Sequence, residues 1–143
     1  MNQTNHTNQT NQTNAINQKT VLVAVNDVFF YTKIRDALLP RGYKLERVRT
    51  PDEVPPKLSA SHPVAMIINM NDPSLDAFAT LETVRRSVGA QSMPILAFAN
   101  HEEVGTWKRA TALGVTKIVS RNELSARTRD LIEEVIRHQA GSE

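Results

Sequence analysis

A chain of 143 residues with 40% hydrophobic content is one domain's worth, long enough to bury a real core. The absence of cysteine excludes a disulfide framework, a Cys-based zinc site and a thiol nucleophile, and a net charge of only +2, with basic residues interleaved among acids, argues against a nucleic-acid footprint. No apolar run approaches the roughly 20 residues of a membrane span, and the N-terminus lacks a signal-peptide core, so the expected compartment is the cytoplasm.

Residues 1 to 18 differ in kind from the rest, with Asn at positions 2, 5, 8, 11, 14 and 17 and Thr or Gln in most gaps. Uncharged polar tracts bury too little apolar surface to offset chain entropy, so this segment reads as a disordered tail. Its Asn-x-Thr triplets, beginning at Asn2, Asn5, Asn8 and Asn11, read as a short repeat rather than glycosylation sites, because no secretion signal precedes them. The domain is expected over residues 20 to 138, followed by a short tail from 139 to 143.

From Thr20 onward, short β-rich runs alternate with longer amphipathic stretches, which is the pattern of a parallel sheet wrapped by helices. Strands are predicted at Val21 to Val25, Lys44 to Val48, Val64 to Ile68, Ile95 to Phe98 and Lys117 to Val119. Asn26 or Asp27 caps the first helix, whose apolar positions Phe30, Ile34 and Leu38 recur every four residues before Pro40 and Gly42. Thr50-Pro51-Asp52-Glu53 reads as a capping box for the second helix, but Pro55 and Pro56 predict that this helix is short or irregular. Leu75, Phe78, Leu81, Val84 and Val88 form the stripe of the third helix, which Gly89 stops. Asn100 with Glu103 opens the fourth, placing His101 in its first turn, and Leu124, Leu131 and Val135 line the last.

The strand from Val64 is apolar until Asn69, at its carboxyl end, where open α/β sheets carry their sites. The run Asn69-Met-Asn-Asp-Pro73-Ser-Leu-Asp76, with Gly42-Tyr43, Pro94 and Gly114 at matching distances, resembles a response-regulator receiver domain over residues 20 to 138. That resemblance implies a doubly wound five-stranded parallel sheet of order 2-1-3-4-5, flanked by about five helices. It also implies a phosphorylation pocket, with an acidic pair after the first strand, an acceptor Asp, a hydroxyl after the fourth strand and a Lys after the fifth. At those positions this chain has Asn26-Asp27, or Val25-Asn26 in the other alignment, and then Asn69, Ala99 and Arg121, with Asn122 in place of a proline.

An amide delocalises its nitrogen lone pair and lacks the charge that recruits Mg²⁺, so Asn69 is neither nucleophile nor strong ligand. The joint loss predicts a phosphorylation-independent pseudo-receiver with no metal or cofactor, in which Arg121 either pairs with Asp27 or Asp72 or is solvated. Asp27, Asp72 and His101 near the strand ends do not make an enzyme. No Gly-rich phosphate loop, nucleophile elbow or metal-ligand spacing accompanies them.

Function is then expected at a surface. By the resemblance, Trp107 and Lys108 on the fourth helix, with Lys117 and Ile118 on the fifth strand, form a candidate face for a protein partner or self-association. Trp107 either faces outward there or turns into the core. The chain's end after the fifth helix suggests a stand-alone signalling module of bacterial type. A weakly or atypically phosphorylated regulator and a small-molecule sensor using the vacated pocket are the alternatives, and DNA binding through the last two helices is a less favoured one.

Overall fold

The computed structural model describes residues 19–87 and 89–141. The expected N-terminal tail, Val88 of the third-helix stripe and residues 142 and 143 lie outside these residues. Five parallel strands, β1 (Lys19–Ala24), β2 (Tyr43–Arg47), β3 (Ala65–Asn69), β4 (Ile95–Ala99) and β5 (Lys117–Ser120), form one sheet of order β2-β1-β3-β4-β5, as expected. Among the described residues the helices are α1 (Val28–Leu38), α2 (Val54–Ser61), α3 (Ala77–Arg86), α4 (Val104–Ala112) and α5 (Arg121–Gly141), with 3₁₀ turns at Leu39–Arg41 and Pro51–Glu53. The last helix therefore runs through the first residues of the segment expected as a C-terminal tail.

Strand alternation sorts the core into two layers. Val21, Val23, Ile67, Leu96 and Phe98 point to one face and pack with Phe30, Ile34 and Leu38 of α1 and Leu124, Leu131 and Val135 of α5. Leu22, Met66, Ile68, Ile95 and Ala97 point to the other and meet Val54, Leu81, Val84 and Ala110 of α2, α3 and α4. Burial on both faces is why the central strands read as unbroken apolar runs.

Several element ends differ from expectation. The second helix is short, but the prolines do not interrupt it: Pro55 and Pro56 lie in its first turn, where backbone N–H groups have no intrahelical acceptor. The capping box does not form. Thr50 makes no side-chain cap, and the Glu53 carboxylate accepts from the Arg49 N–H at 2.8 Å. Leu75 is buried but precedes α3, which Asp76 caps by accepting from the Ala79 N–H at 3.1 Å. α4 begins at Val104, so His101 lies in a turn ahead of it.

Arg85, in the last turn of α3, fastens the amino-terminal side of the sheet. Its guanidinium donates to the carbonyls of Ala90, Gln91 and Met93 at 3.2, 2.8 and 3.2 Å and to those of Leu113 and Gly114 at 3.2 and 2.5 Å. Two loops are thus held by one side chain. Gly114 has φ +88°, and an added Cβ would lie 3.2 Å from Arg85 Nε. Gly114→Ala is therefore expected to destabilise the fold by about 1 kcal/mol or more, read by urea unfolding.

Candidate functional site

Parallel register brings the strand ends into one row at the carboxyl edge of the sheet. Asn69 of β3 pairs with Phe98 of β4, and Ala99 pairs with Ser120, next to Arg121. A cleft of about 450 Å³ opens there, lined by Asn26, Asp27, Asn69, Asn71, Asp72 and Arg121 among others. The structure thus gathers Asn26, Asp27, Asn69 and Arg121 around one cleft. Ala99 is fully buried beneath the edge and presents no polar atom.

The structure also settles which residues follow β1. Val25 is buried among the residues under α1 and α5, and Asp27 caps α1 by accepting from the Phe30 N–H at 3.1 Å. Asn26 is the residue turned toward the β3 loop. Its backbone N–H donates to Asp72 Oδ2 at 2.9 Å and its amide Nδ2 donates to Ser74 Oγ at 3.0 Å.

Asp72 is the innermost carboxylate, with 9% exposure. Its Oδ1 accepts from the Ser74 N–H at 3.0 Å and from the Ser74 hydroxyl at 2.7 Å. Burial alone pushes a carboxyl up, but the donors of Ser74, Asn26 and Asp27 outweigh it and hold Asp72 below the usual range. The stabilisation it provides is full above the ordinary value near 3.8 and is lost as pH falls through the lowered folded value. Asp72→Asn is accordingly expected to cost roughly 1–3 kcal/mol at neutral pH and to flatten the acid limb of stability, measured by urea unfolding across an acid series.

Asn69, at 6% exposure, uses its Oδ1 to accept from the Asn71 N–H at 3.0 Å, an Asx turn that shapes the following loop. Arg121 does not pair with Asp27 or Asp72. Its guanidinium lies over the Phe30 ring, 5.1 Å from the centroid, and among the described residues it makes no ion pair. A planar, weakly hydrated cation gains from that aromatic face without giving up solvent.

These donors do not fit magnesium, the ion that the resemblance implies for such a cleft. Mg²⁺ demands hard anionic oxygens in octahedral array, whereas here amides occupy two of the positions, Asp27 caps a helix and Asp72 is caged by N–H and O–H donors. Among the described residues no group of three or more His, Cys, Asp or Glu is placed to hold a metal.

A residue that sequence reasoning overlooked connects this edge to α4. Asn71 accepts through Oδ1 from the Asn100 N–H and donates through Nδ2 to Glu103 Oε1 at 2.8 Å. The Asn100 carbonyl in turn accepts from the Trp107 indole N–H at 3.0 Å. Only the order of Asn residues at the ends of β3 and β4 hinted at it.

That bond corrects the outward reading of Trp107. The indole is half-buried and packs on the core with Ile118, because its N–H reaches back to a loop carbonyl and its ring covers apolar surface. Lys108 is exposed, and so is Val104, at 59%. Lys117 pairs with Glu134, and its hydrogen bond holds that carboxyl below its usual value.

No protein-family model matches the sequence. No curated protein matches it either. Solved structures do. The chain is similar to a CheY-like response-regulator receiver domain protein from Methanospirillum hungatei, with 14% identity and TM-score 0.74 over 88% of this chain and 99% of that one. It is similar to the signal receiver domain of a histidine kinase from Syntrophus aciditrophicus, with 18% identity and TM-score 0.69 over 86% and 91% of the two chains. A receiver domain of a sensor histidine kinase from Pseudomonas aeruginosa, whose structure has magnesium coordinated in its active-site cleft, aligns with 16% identity and TM-score 0.71 over 83% and 98%. With the strand order and near-complete coverage of these domains, the chain has the CheY-like fold of response-regulator receiver domains.

Proposed function

We propose that this chain is a receiver-fold module of two-component signalling that works without phosphorylation of its cleft, by binding a signalling protein or a second copy of itself. What supports this reading most is that most polar groups of the cleft serve one another, Asn26 Oδ1 being the buried cleft atom that has no partner among the described residues. Asn69 shapes its own loop, Asp72 holds the chain after β1, Asp27 caps α1, and Arg121 rests on Phe30. Both Asp72 oxygens accept hydrogen bonds and Asp27 gives one of its two to the α1 cap, so neither carboxylate has both oxygens free to attack phosphorus with one and hold a cation with the other.

The surface proposed for the partner is the α4 and β5 face, with Val104 as its exposed apolar residue, Lys108 at its edge and Ile118 and Trp107 beneath. An exposed apolar residue rimmed by charge suits a small interface. Immobilised protein should capture its partner equally well with and without a phosphodonor and Mg²⁺, and Val104→Asp should weaken capture about tenfold or more while leaving the fold intact. Capture that requires the phosphodonor would overturn the proposal.

A second reading, a small-molecule sensor, is favoured by one observation: the cleft of about 450 Å³ borders an exposed Arg121 that has no carboxylate partner among the described residues. A ligand held there would raise the thermal midpoint, and Arg121→Ala would abolish the rise. DNA binding is less favoured, because Arg109, Lys117 and Arg127 on α4, β5 and α5 face Glu82, Glu134 and Glu123.

A further inference from the structure

We infer that Asn71 is a positioning residue that fixes α4 and the Trp107 indole from the cleft, so that the proposed partner face is held in one state by a hydrogen-bond chain of amides and backbone groups that ends on the Glu103 carboxylate. The inference rests on that face being the working surface. The chain is continuous: Asn69 Oδ1 accepts from the Asn71 N–H, Asn71 Oδ1 from the Asn100 N–H, and the Asn100 carbonyl from both the Glu103 N–H at 3.1 Å and the Trp107 indole at 3.0 Å. Asn71 Nδ2 closes the network on Glu103 Oε1, which also accepts from the Thr106 hydroxyl at 3.1 Å.

The chemistry at position 71 requires a carboxamide. One end accepts from a backbone N–H and the other donates to a carboxylate, and the carboxamide does both from a single short side chain. A carboxylate there would keep the first bond, lose the second and face Glu103 with like charge. The network links three segments, the β3–α3 loop, the β4–α4 loop and the first turn of α4. Trp107 is the chain's only tryptophan, so its emission reports this one position.

The test is Asn71→Asp, followed by tryptophan emission, acrylamide quenching and hydrogen exchange at the Glu103 and Trp107 amides, which close the segment that the lost bond held. Emission should move to the red, quenching should rise, and exchange should quicken roughly five- to tenfold, the loss expected for one hydrogen bond of ordinary net strength. Adding Glu103→Gln should restore the wild-type signals, since its amide Nε2 donates to the carboxylate at position 71 and like charge is removed. Glu103→Ala, at an exposed position, should reproduce part of the shift should Asn71→Asp fail to fold. Unchanged emission and exchange in both single variants would overturn the inference. If the spectroscopic response appears while partner capture stays unchanged, the latch stands and the choice of partner face fails.

Discussion

Replacing Arg85 with Met is expected to lower unfolding free energy by about 3 kcal/mol, with each hydrogen bond from a charged donor worth roughly 1.5–3 kcal/mol and part of the loss returned by hydration of freed carbonyls. The bonds from this guanidinium reach two loops that no strand pairing connects, one after α3 and one after α4. With Arg85 gone, Gly89 to Met93 depend on turn bonds such as Ala90 N–H to the Ser87 carbonyl at 3.2 Å, and the loop from Leu113 is held chiefly at its end, where the Thr116 N–H donates to the Ile95 carbonyl at 2.8 Å and its hydroxyl accepts from the Ile95 N–H at 3.0 Å. Arg85→Lys should recover less than half, because a compact ammonium cannot fork across two loops. Urea unfolding followed by far-UV circular dichroism measures both; a midpoint shift no larger than that of an exposed Arg→Met control would contradict the clamp.

Returning carboxylates to the cleft is expected to have the second large effect. Asn26→Asp with Asn69→Asp would set two new anions beside Asp27 and Asp72, and like charges at such spacing disfavour ionisation. Asn69→Asp keeps the Asx bond to the Asn71 N–H, but Asn26→Asp replaces a donor to Ser74 with a second acceptor. The double variant should lose roughly 1–3 kcal/mol in the absence of divalent cations and regain much of it in millimolar Mg²⁺, while the wild type shows no Mg²⁺-dependent shift. Thermal unfolding with and without Mg²⁺ decides the matter. A wild-type midpoint that rises as far with Mg²⁺ as the double variant's would contradict the reading of the cleft.

The sheet was legible because its strands are buried on both faces, and such runs as Val21 to Val25 and Val64 to Ile68 admit few alternatives once amphipathic stretches separate them. The cleft was legible by composition for the same reason. Strand ends fix what lies along the edge, so Asn69 and Ala99 end β3 and β4 and Arg121 follows β5. Side-chain direction was not legible. Trp107 turns inward because of a carbonyl at Asn100, and Arg121 takes the Phe30 ring instead of an acid, and both outcomes depend on contacts between segments distant in sequence. Arg85 and Asn71 escaped notice because their partners are mostly backbone groups, which carry no residue-specific signal. Local competition explains the failed capping box at Thr50, where Glu53 serves the Arg49 N–H instead.

The fold and the chemistry of its cleft separate here. Under 20% identity to each of these receiver domains still preserves the strand order, since any apolar residue of fitting volume sustains the core. Phosphoryl chemistry tolerates far less, because it needs specific oxygens at specific positions. With Asn26, Asn69 and Ala99 at the positions that the resemblance assigns to that chemistry, the proposal places signalling on the surface and on the network argued to position it.

The most direct measurement is intact-mass spectrometry of the wild-type protein after incubation with acetyl phosphate and Mg²⁺. The account predicts an unchanged mass and unchanged partner capture; a hydroxylamine-labile phosphoryl adduct in the cleft, at Asp27 or Asp72, would contradict it.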